Sequence, residues 1–330
     1  MKYKAIQLIK RPQAEITPDI FKMVTLETPE LKKGQILLRQ THMSLDPAMR
    51  GWMSEDTKSY IPPVSLGEIM RSSGVAEVVE SRHGDFPVGT HVIGMMGWTE
   101  YAISSGEGLQ ALPAGIPAEA VLAVLALPGV TAYQGLMNIG KPKAGETILI
   151  SGAAGSVGSI VGQIAKAEGL HVVGTAGTGE KCRWLEHELH FDKAINYHTP
   201  NLNQEIADAT PNGIDLYYEN TGGPVQHAAF ARMNTFGRIV VCGMISDYNT
   251  STPEPGPNWI PIIKKRLKIQ GFAMPDHWGD ISELSQKVAV YLLKGQIKYR
   301  VHILDGLESA IEGINLLFTG GNKGKLMVKL

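Results

Sequence analysis

Hydrophobic and polar positions change their spacing along this chain. From Met1 to about Pro113, apolar residues occur in short alternating runs separated by turn residues, as in QILLRQTHMSL and SSGVAEVVES. This pattern predicts a mostly β region, a small barrel. From about Ala118 to Lys294, strand-like runs such as TILIS alternate with helical runs such as SIVGQIAKAEG. That alternation predicts a doubly wound parallel sheet.

After Gly295 the chain returns to strand and turn character, with a helical piece near Leu307 to Phe318 and a last strand, KLMVKL. We therefore expect an α/β protein with two domains. The first domain takes residues 1–117 and is completed by residues 295–330, and the second takes residues 118–294.

Composition and charge exclude several classes of protein. The 330 residues include 31 basic and 32 acidic side chains, so no net field recruits nucleic acid or anionic lipid, and we expect neither as a partner. The apolar run Ala118–Val130 contains Glu119, Pro128 and Gly129 and is too short to cross a membrane, which favours a core helix.

Cysteine usage and the N-terminus suggest where the protein works. Cys182 and Cys242 are too few for a disulfide framework and fit a reducing compartment. The opening MKYKAIQLIKRP alternates apolar and polar residues and lacks the apolar region of a signal peptide. A cytoplasmic location is expected.

The strongest chemical signal is the segment ETILISGAAGSVGSIVGQIAKAEGLHVVGTAG. A β-rich run reaches Ser151, glycines follow at 152, 155 and 158, and a helix and a second strand come next. Glycine allows close backbone approach, so N–H groups at the helix start can bind a pyrophosphate. The complete strand–helix–strand unit predicts a dinucleotide site.

The residues after the second strand favour NADP(H) over NAD(H). An NAD-binding unit places a carboxylate about 20 residues past the first glycine, where it bonds the ribose hydroxyls. Here that zone is Gly174–Thr178, without an acid, and Lys181 follows. An ammonium group at this place can bind a 2′-phosphate, although a solvated lysine at a helix start is the alternative.

With these features, the chain resembles the medium-chain dehydrogenase/reductase superfamily. More closely, it is similar to the zinc-independent branch of prostaglandin and leukotriene reductases, plant 2-alkenal reductases and curcumin-reductase-like enzymes. The resemblance runs from end to end and is carried by the blocks LDPAMR, GWTEYAIS, LPGVTAYQGL, AAGSVGSIVGQIAK, NTGG, FGRIVVCGMISDYN and GNKGKLMV.

This resemblance implies a GroES-like β-barrel domain and a Rossmann domain, with the active site in the cleft between them. Relatives of this kind are often homodimers. The cofactor-binding residues implied by position are Gly155, Ser156, Val157, Gly158, Lys181, Tyr197, Asn220, Cys242, Gly243, Met244, Ile245, Tyr248, Phe272, Ala273, Met274 and Asn322.

The expected substrate pocket departs from the family pattern. Relatives commonly have DPYMR where this chain has DPAMR, so Ala48 replaces a tyrosine that reaches the substrate in several of them. Met49 lies in the same block. Tyr60 is a further pocket candidate. Trp259, in the proline-rich loop TPEPGPNW, either contacts the substrate or belongs to an inert surface connection.

Zinc is not expected at the catalytic site. Zinc-dependent members of the superfamily offer Cys, His and Glu or Asp ligands there. In this chain no cysteine precedes residue 182, and Glu68 directly follows Gly67 with no histidine between them. His187 and His190 lie three residues apart on a predicted helix without a third ligand, which favours a solvated helix face.

Without a metal, reduction of a carbon–carbon double bond conjugated to a carbonyl suits the site best. Hydride from NADPH reaches the β-carbon, and donors on the protein stabilise the enolate oxygen. Tyr248, which follows the strand end CGMIS, is the leading catalytic donor. The small-molecule substrate is then an enone or alkenal. A quinone oxidoreductase and a non-catalytic nucleotide-binding protein are the alternatives.

Overall fold

The computed structural model describes residues 1–330, and the internal contacts of the chain divide it into two units. The first unit contains Met1–Leu122, Val301–Asn322 and Leu326–Leu330. The second unit contains Ala123–Arg300 and Lys323–Lys325.

These boundaries differ by a few residues from those expected. Residues 118–122 lie with the first unit because Val121 and Leu122 pack in a cluster with Val75 and Met327. Residues 295–300 lie with the second unit, where the Lys298 backbone exchanges hydrogen bonds with the Gln163 side chain.

Fifteen β-strands are present. In chain order they are β1 (Lys2–Leu8), β2 (Phe21–Glu27), β3 (Ile36–Ser44), β4 (Ser73–Ser81), β5 (His91–Met95), β6 (Tyr101–Ser104), β7 (Gln110–Ala111), β8 (Thr147–Ile150), β9 (His171–Ala176), β10 (Lys193–Asn196), β11 (Ile214–Glu219), β12 (Met233–Val241), β13 (Lys268–Gly271), β14 (Val301–Asp305) and β15 (Lys325–Lys329).

Eleven α-helical segments accompany them. They are α1 (Met49–Trp52), α2 (Ala118–Ala120), α3 (Leu127–Tyr133), α4 (Ser156–Ala167), α5 (Gly179–His187), α6 (Leu202–Ala209), α7 (Gly223–Arg232), α8 (Ile260–Lys265), α9 (Ile281–Leu293), α10 (Ser309–Gly313) and α11 (Leu316–Thr319). Short 3-10 helices cover Pro18–Ile20, Ile245–Asp247 and Met274–Asp280, and π-helical turns cover Val121–Leu125 and Gln134–Gly140.

The second unit is built on a six-stranded sheet of order β10-β9-β8-β11-β12-β13. Every neighbouring pair in it is parallel. The chain moves outward from β8 in one direction and from β11 in the other, so the strand order reverses between these two strands. Open parallel sheets bind ligands at the carboxyl ends of the strands at such a reversal. The predicted doubly wound Rossmann sheet is confirmed.

The sheet is buried because helices cover both of its faces, as parallel strands require. Ile148, Leu149 and Ile150 of β8 have no exposed surface. Leu149 belongs to a core cluster that also contains Tyr217 of β11 and Phe230 of α7. The near-continuous apolar runs of the sequence therefore correspond to strands with helices packed against them.

The first unit has the antiparallel strand pairing expected of a barrel. A seven-stranded sheet runs in the order β14-β15-β3-β4-β5-β7, with β6 also paired to β3. The strands β1 and β2 form a separate antiparallel hairpin. The strand β15 pairs antiparallel with β3, with Met327 opposite Ser44, so the C-terminal tail adds two strands to this sheet.

The long apolar helical region differs from the prediction in length. Helical turns extend from Ala118 to Gly140, with an extended residue at Ala126 that separates α3 from the turn before it. The most apolar 18 residues of this stretch have a mean hydropathy of 1.6, and by length and composition alone the stretch is able to cross a membrane. The expectation that it is too short was wrong, because the helical turns continue past Val130. Since 67% of its most apolar part is buried inside the protein, a core helix accounts for it.

The histidine pair of the sequence HELH does not share a helix. Helix α5 ends at His187, and His190 has a φ of +60°, which is outside helical geometry. The predicted helix face with both imidazoles is therefore wrong.

Candidate functional site

The glycine loop joins β8 to α4 in the geometry of a phosphate-binding turn. Gly152 has a φ of +58°, in the left-handed region that glycine tolerates. A Cβ on Gly158 would lie 2.5 Å from the carbonyl oxygen of Gly152, so only glycine lets the first turn of α4 approach the loop. Gly155 caps the helix, and the N–H groups of Ser156 and Val157 lie in the first turn, which favours an anion.

A buried carboxylate supports this loop from behind. Glu219, the last residue of β11, has no exposed surface. One carboxylate oxygen accepts hydrogen bonds from Ser151 Oγ at 2.6 Å, Thr221 N at 2.8 Å and Gly222 N at 3.0 Å. The other accepts from the Tyr217 hydroxyl at 2.7 Å. Four donors thus converge on one side chain.

Sequence reasoning did not identify Glu219. The available signal was an acid at the end of an apolar strand, IDLYYE, directly before the turn residues NTGG. A charged residue at the buried end of a strand requires hydrogen-bond partners, and the turn that follows supplies backbone N–H groups.

Asn220 joins the carboxyl ends of β8 and β11. Its backbone N–H donates to Ser151 Oγ at 2.7 Å, and its side-chain amide donates to the Ser151 carbonyl at 2.7 Å. The strands β8 and β11 are the two neighbours at which the strand order reverses. The predicted cofactor residue Asn220 therefore lies at the crevice where a dinucleotide is expected.

The segment after β12 is hydrogen-bonded to the same strand end. The Glu219 carbonyl accepts from the N–H groups of Cys242 at 2.9 Å and Gly243 at 3.1 Å. The Asn220 carbonyl accepts from Ile245 N at 3.2 Å. The predicted cofactor residues from Cys242 to Ile245 are thus brought next to Asn220.

Tyr248 folds back over this turn. Its hydroxyl oxygen accepts a hydrogen bond from the N–H of Met244 at 3.3 Å, and the ring is half-buried. A hydroxyl that accepts in this way can still donate its own proton to a ligand oxygen. The arrangement is compatible with the predicted role of Tyr248 as a hydrogen-bond donor.

Lys181 and Tyr197 lie near the carboxyl ends of β9 and β10. The Thr178 hydroxyl caps α5 by accepting from Lys181 N at 3.2 Å, which positions the lysine in the first turn. The Tyr197 hydroxyl lies against Gly177, 2.9 Å from where a Cβ of that residue would be. Burial, and secondly the charge of Lys323, lower the pKa of Lys181.

Side chains of the segment after β13 pack into the core of the second unit. Met274 is buried and packs with Val130 and Leu284. Phe272 packs against the same cluster, and Ala273 lies between them. Of the three predicted cofactor contacts at Phe272, Ala273 and Met274, the Met274 side chain is therefore occupied by core packing.

In the first unit, the predicted pocket residues have different environments. Met49, predicted to line the pocket, has no exposed surface, and its side chain packs in the hydrophobic core. Ala48 is partly buried beside the same core. Tyr60 is 58% exposed, and Asn322, just after α11, is half-buried with its N–H donating to the Leu316 carbonyl.

Trp259 lies outside these turns, and the two cysteines are not reactive. Trp259 is 73% exposed at the start of α8. Burial raises the pKa of Cys242 to about 12 and also raises that of Cys182, which makes both poor nucleophiles at neutral pH. The Glu68 carboxylate accepts from Ser65 N, and nowhere do three or more His, Cys, Asp or Glu side chains form a group able to hold a metal ion.

Comparison with known proteins relates the whole chain to oxidoreductases. A family model described as N-terminal domain of oxidoreductase matches residues 4–112, and one described as zinc-binding dehydrogenase matches residues 156–289. The NADPH-dependent curcumin reductase of Escherichia coli (strain K12) is 42% identical, over 98% of this chain and 95% of its own length.

Two further similarities agree with this. Prostaglandin reductase 1 of Bos taurus is 41% identical, over 94% of this chain and 93% of its own length. The crystal structure of CurA from Vibrio vulnificus in complex with NADPH has a TM-score of 0.94 and 39% identity, covering 99% of this chain and 98% of that one.

The Glu219 network generates a stability prediction. Replacement by alanine removes the acceptor for four donors, three of them buried, and each unsatisfied buried group costs about 1–3 kcal/mol. We expect Glu219→Ala to lower the free energy of unfolding by at least about 3 kcal/mol, and Glu219→Gln, which retains one acceptor oxygen, by about 1 kcal/mol. Urea denaturation followed by tryptophan fluorescence measures both.

The exposed Glu254 provides the control for this prediction. Glu254→Ala is expected to change the free energy of unfolding by less than about 0.5 kcal/mol. A Glu219→Ala protein as stable as the Glu254→Ala protein would contradict the role of the carboxylate.

Proposed function

This chain belongs to the medium-chain dehydrogenase/reductase family, in the branch of the curcumin and prostaglandin reductases, and from that membership we propose that it reduces carbon–carbon double bonds conjugated to a carbonyl. NADPH is the hydride donor, and α,β-unsaturated ketones and aldehydes are the substrates. The observation that carries the proposal is the Rossmann crevice, with a glycine-lined helix N-terminus at one end and a tyrosine hydroxyl above the neighbouring strand.

The residues of the second unit fit NADPH. Gly152 and Gly158 leave the space that a Cβ would fill, so a pyrophosphate can approach the N–H groups at the start of α4. Lys181 offers an ammonium group beside the end of β9, where an NAD-binding unit would have a carboxylate. Asn220 and the 242–245 turn would hold the nicotinamide half, and Tyr197 with Lys181 the adenosine 2′-phosphate.

The chemistry then requires charge stabilisation from the protein. When bound, NADPH supplies a hydride to the β-carbon of the substrate. The electron pair of the double bond moves toward the carbonyl, and negative charge develops on the enolate oxygen. Tyr248 donates a hydrogen bond to that oxygen, and the α-carbon takes a proton from water. No step of this sequence needs a metal.

An acceptor panel tests the proposed reaction. We expect NADPH to be consumed with enones and 2-alkenals at kcat/KM values at least about 10-fold above those with quinones, and NADH to be a poor donor. Steady-state absorbance assays and product analysis measure this. Preference for quinones would favour a quinone oxidoreductase, and tight NADPH binding with no turnover on any acceptor would favour a non-catalytic nucleotide-binding protein.

The role of Tyr248 is tested by removing its hydroxyl. Loss of one hydrogen-bond donor to a developing oxyanion costs about 100-fold in turnover. We expect Tyr248→Phe to lower kcat with an enone by about that factor, while the KM for NADPH changes only a few-fold. Tyr3→Phe, distant in sequence and on the β1 hairpin of the first unit, is the matched control. Unchanged turnover in Tyr248→Phe would remove this residue from the chemistry.

We also propose that the protein is a homodimer. The strand β13 ends the six-stranded sheet and has no neighbour on its outer side in the single chain. Exposed apolar side chains lie on it and on the flanking elements, namely Phe236, Trp259, Ile260, Ile263 and Ile269. An unpaired strand edge with apolar surface is a template for a second copy, and twofold symmetry would pair the two β13 edges antiparallel.

The dimer proposal predicts the effect of one charge. Because Ile263 is 80% exposed, Ile263→Asp should leave the monomer folded and weaken association by about 10-fold or more. Sedimentation velocity over a dilution series measures the association constant. Val88→Asp, at an apolar side chain that is 63% exposed in the first unit, should not change it. A wild-type protein that sediments as a monomer would overturn the proposal.

A cytoplasmic location is proposed on the state of the cysteines. Cys182 and Cys242 are both free thiols. Free thiols and the absence of any disulfide fit a reducing compartment.

A further inference from the structure

A second lysine lies beside the proposed 2′-phosphate position. Residues 323–325 belong to the second unit and run along the glycine loop, where Gly324 forms a parallel bridge with Gly155. The Lys325 N–H donates to the Arg300 carbonyl at 2.9 Å, which holds the segment in place. Lys323, the first residue of this segment, contacts Glu180 in the first turn of α5.

Lys323 and Lys181 line one small cleft. The other residues that line it are Ala154 of the glycine loop, Glu180, Trp184, Arg300 and Gly324. The Lys323 ammonium group lies 2.7 Å from a carboxylate oxygen of Glu180, and both side chains are more than half exposed. The cleft therefore connects the pyrophosphate loop to the two ammonium groups.

The Lys323–Glu180 ion pair affects the charge of this cleft more than it affects the folding stability of the protein. Exposed ion pairs contribute little to folding. Glu180, however, is the neighbour of Lys181 in the sequence, and its free carboxylate would repel a phosphate and attract the Lys181 ammonium. The hydrogen bond and the charge of Lys323 hold the pKa of Glu180 below its usual range, so this carboxylate is ionised and neutralised by Lys323 at neutral pH.

The two lysines also repel each other. The charge of Lys323 contributes to the lowered pKa of Lys181. Arg300, on the same cleft, is hydrogen-bonded to Glu188 and its guanidinium lies over the Trp184 ring at 5.0 Å. A dianionic phosphate between the lysines would relieve their repulsion, whereas a ribose hydroxyl would not.

We propose that Lys323 determines cofactor specificity: it neutralises Glu180 and, with Lys181, forms a two-lysine site for the 2′-phosphate of NADPH. This inference rests on the proposed use of NADPH and adds a residue that sequence reasoning did not assign. Asn322, which directly precedes Lys323, was predicted to bind the cofactor, whereas Lys323 was not.

Calorimetry with the adenosine fragments tests this without turnover. In the full-length protein we expect 2′,5′-ADP to bind more tightly than 5′-AMP. Lys323→Met should weaken the binding of 2′,5′-ADP by about 10-fold, which corresponds to the loss of one charged hydrogen bond. The affinity for 5′-AMP should change by less than about 2-fold. Lys294→Met, at an exposed lysine on the same unit, removes the same charge and should change neither affinity.

A double mutant separates the two roles of Lys323. Glu180→Gln removes the carboxylate that Lys323 neutralises. Lys323→Met should therefore lower the affinity for 2′,5′-ADP by a smaller factor in the Glu180→Gln background than in the wild type. An equal cost in both backgrounds would overturn the neutralising role of Lys323. Unchanged 2′,5′-ADP affinity in Lys323→Met, with a clear loss in Lys181→Met, would overturn the inference alone. If the wild type does not prefer 2′,5′-ADP to 5′-AMP, the proposed use of NADPH fails as well.

Discussion

One buried carboxylate, Glu219, connects the parts of the second unit on which the candidate site depends. Its side chain accepts from Ser151 at the end of β8 and from the turn after β11, and its carbonyl accepts from the turn after β12. Burying a carboxyl group is costly unless its oxygens have hydrogen-bond partners. Here four donors bond to the side chain, and together with the bonds to the Glu219 carbonyl they set the relative positions of the ends of β8, β11 and β12.

This arrangement explains how the turn that carries the proposed catalytic hydroxyl is held in place. The 242–248 turn has little regular structure, yet its N–H groups are bonded to the backbone of residues 219–221. Tyr248 closes the turn by accepting from Met244. A hydroxyl held in this way needs little reorganisation when charge develops on a substrate oxygen, which is how preorganised donors lower a barrier. The thiol of Cys242, by contrast, is kept protonated by burial.

The two ends of the proposed cofactor site differ in the kind of positive charge that they offer a ligand. Near the sheet centre, backbone N–H groups and a helix terminus provide partial positive charge that any pyrophosphate can use. At the ends of β9 and β10, side-chain ammonium groups provide full charges that distinguish a phosphate from a hydroxyl. Pyrophosphate binding and the preference for a 2′-phosphate are therefore proposed for separate elements, α4 and the α5 region.

The sequence determined the features that depend on local pattern. Strand and helix alternation identified the Rossmann sheet, because apolar runs with glycine turns are directly readable, and the spacing of Gly152, Gly155 and Gly158 identified the loop. The position of Lys181 just after the second strand was also readable from the sequence, and the structure places it in the first turn of α5. The length of the apolar helical region was misjudged because helical turns continue past Val130 to Gly140.

Only the tertiary structure decided which distant residues meet. Glu219 received its donors from β8 and from the turn that follows it, and Lys323, near the C-terminus, reached Glu180 on α5. Met49 was placed in the core although its sequence block suggested a pocket. Burial and pairing across such separations depend on how the elements pack, and this information is absent from the spacing of residues along one segment.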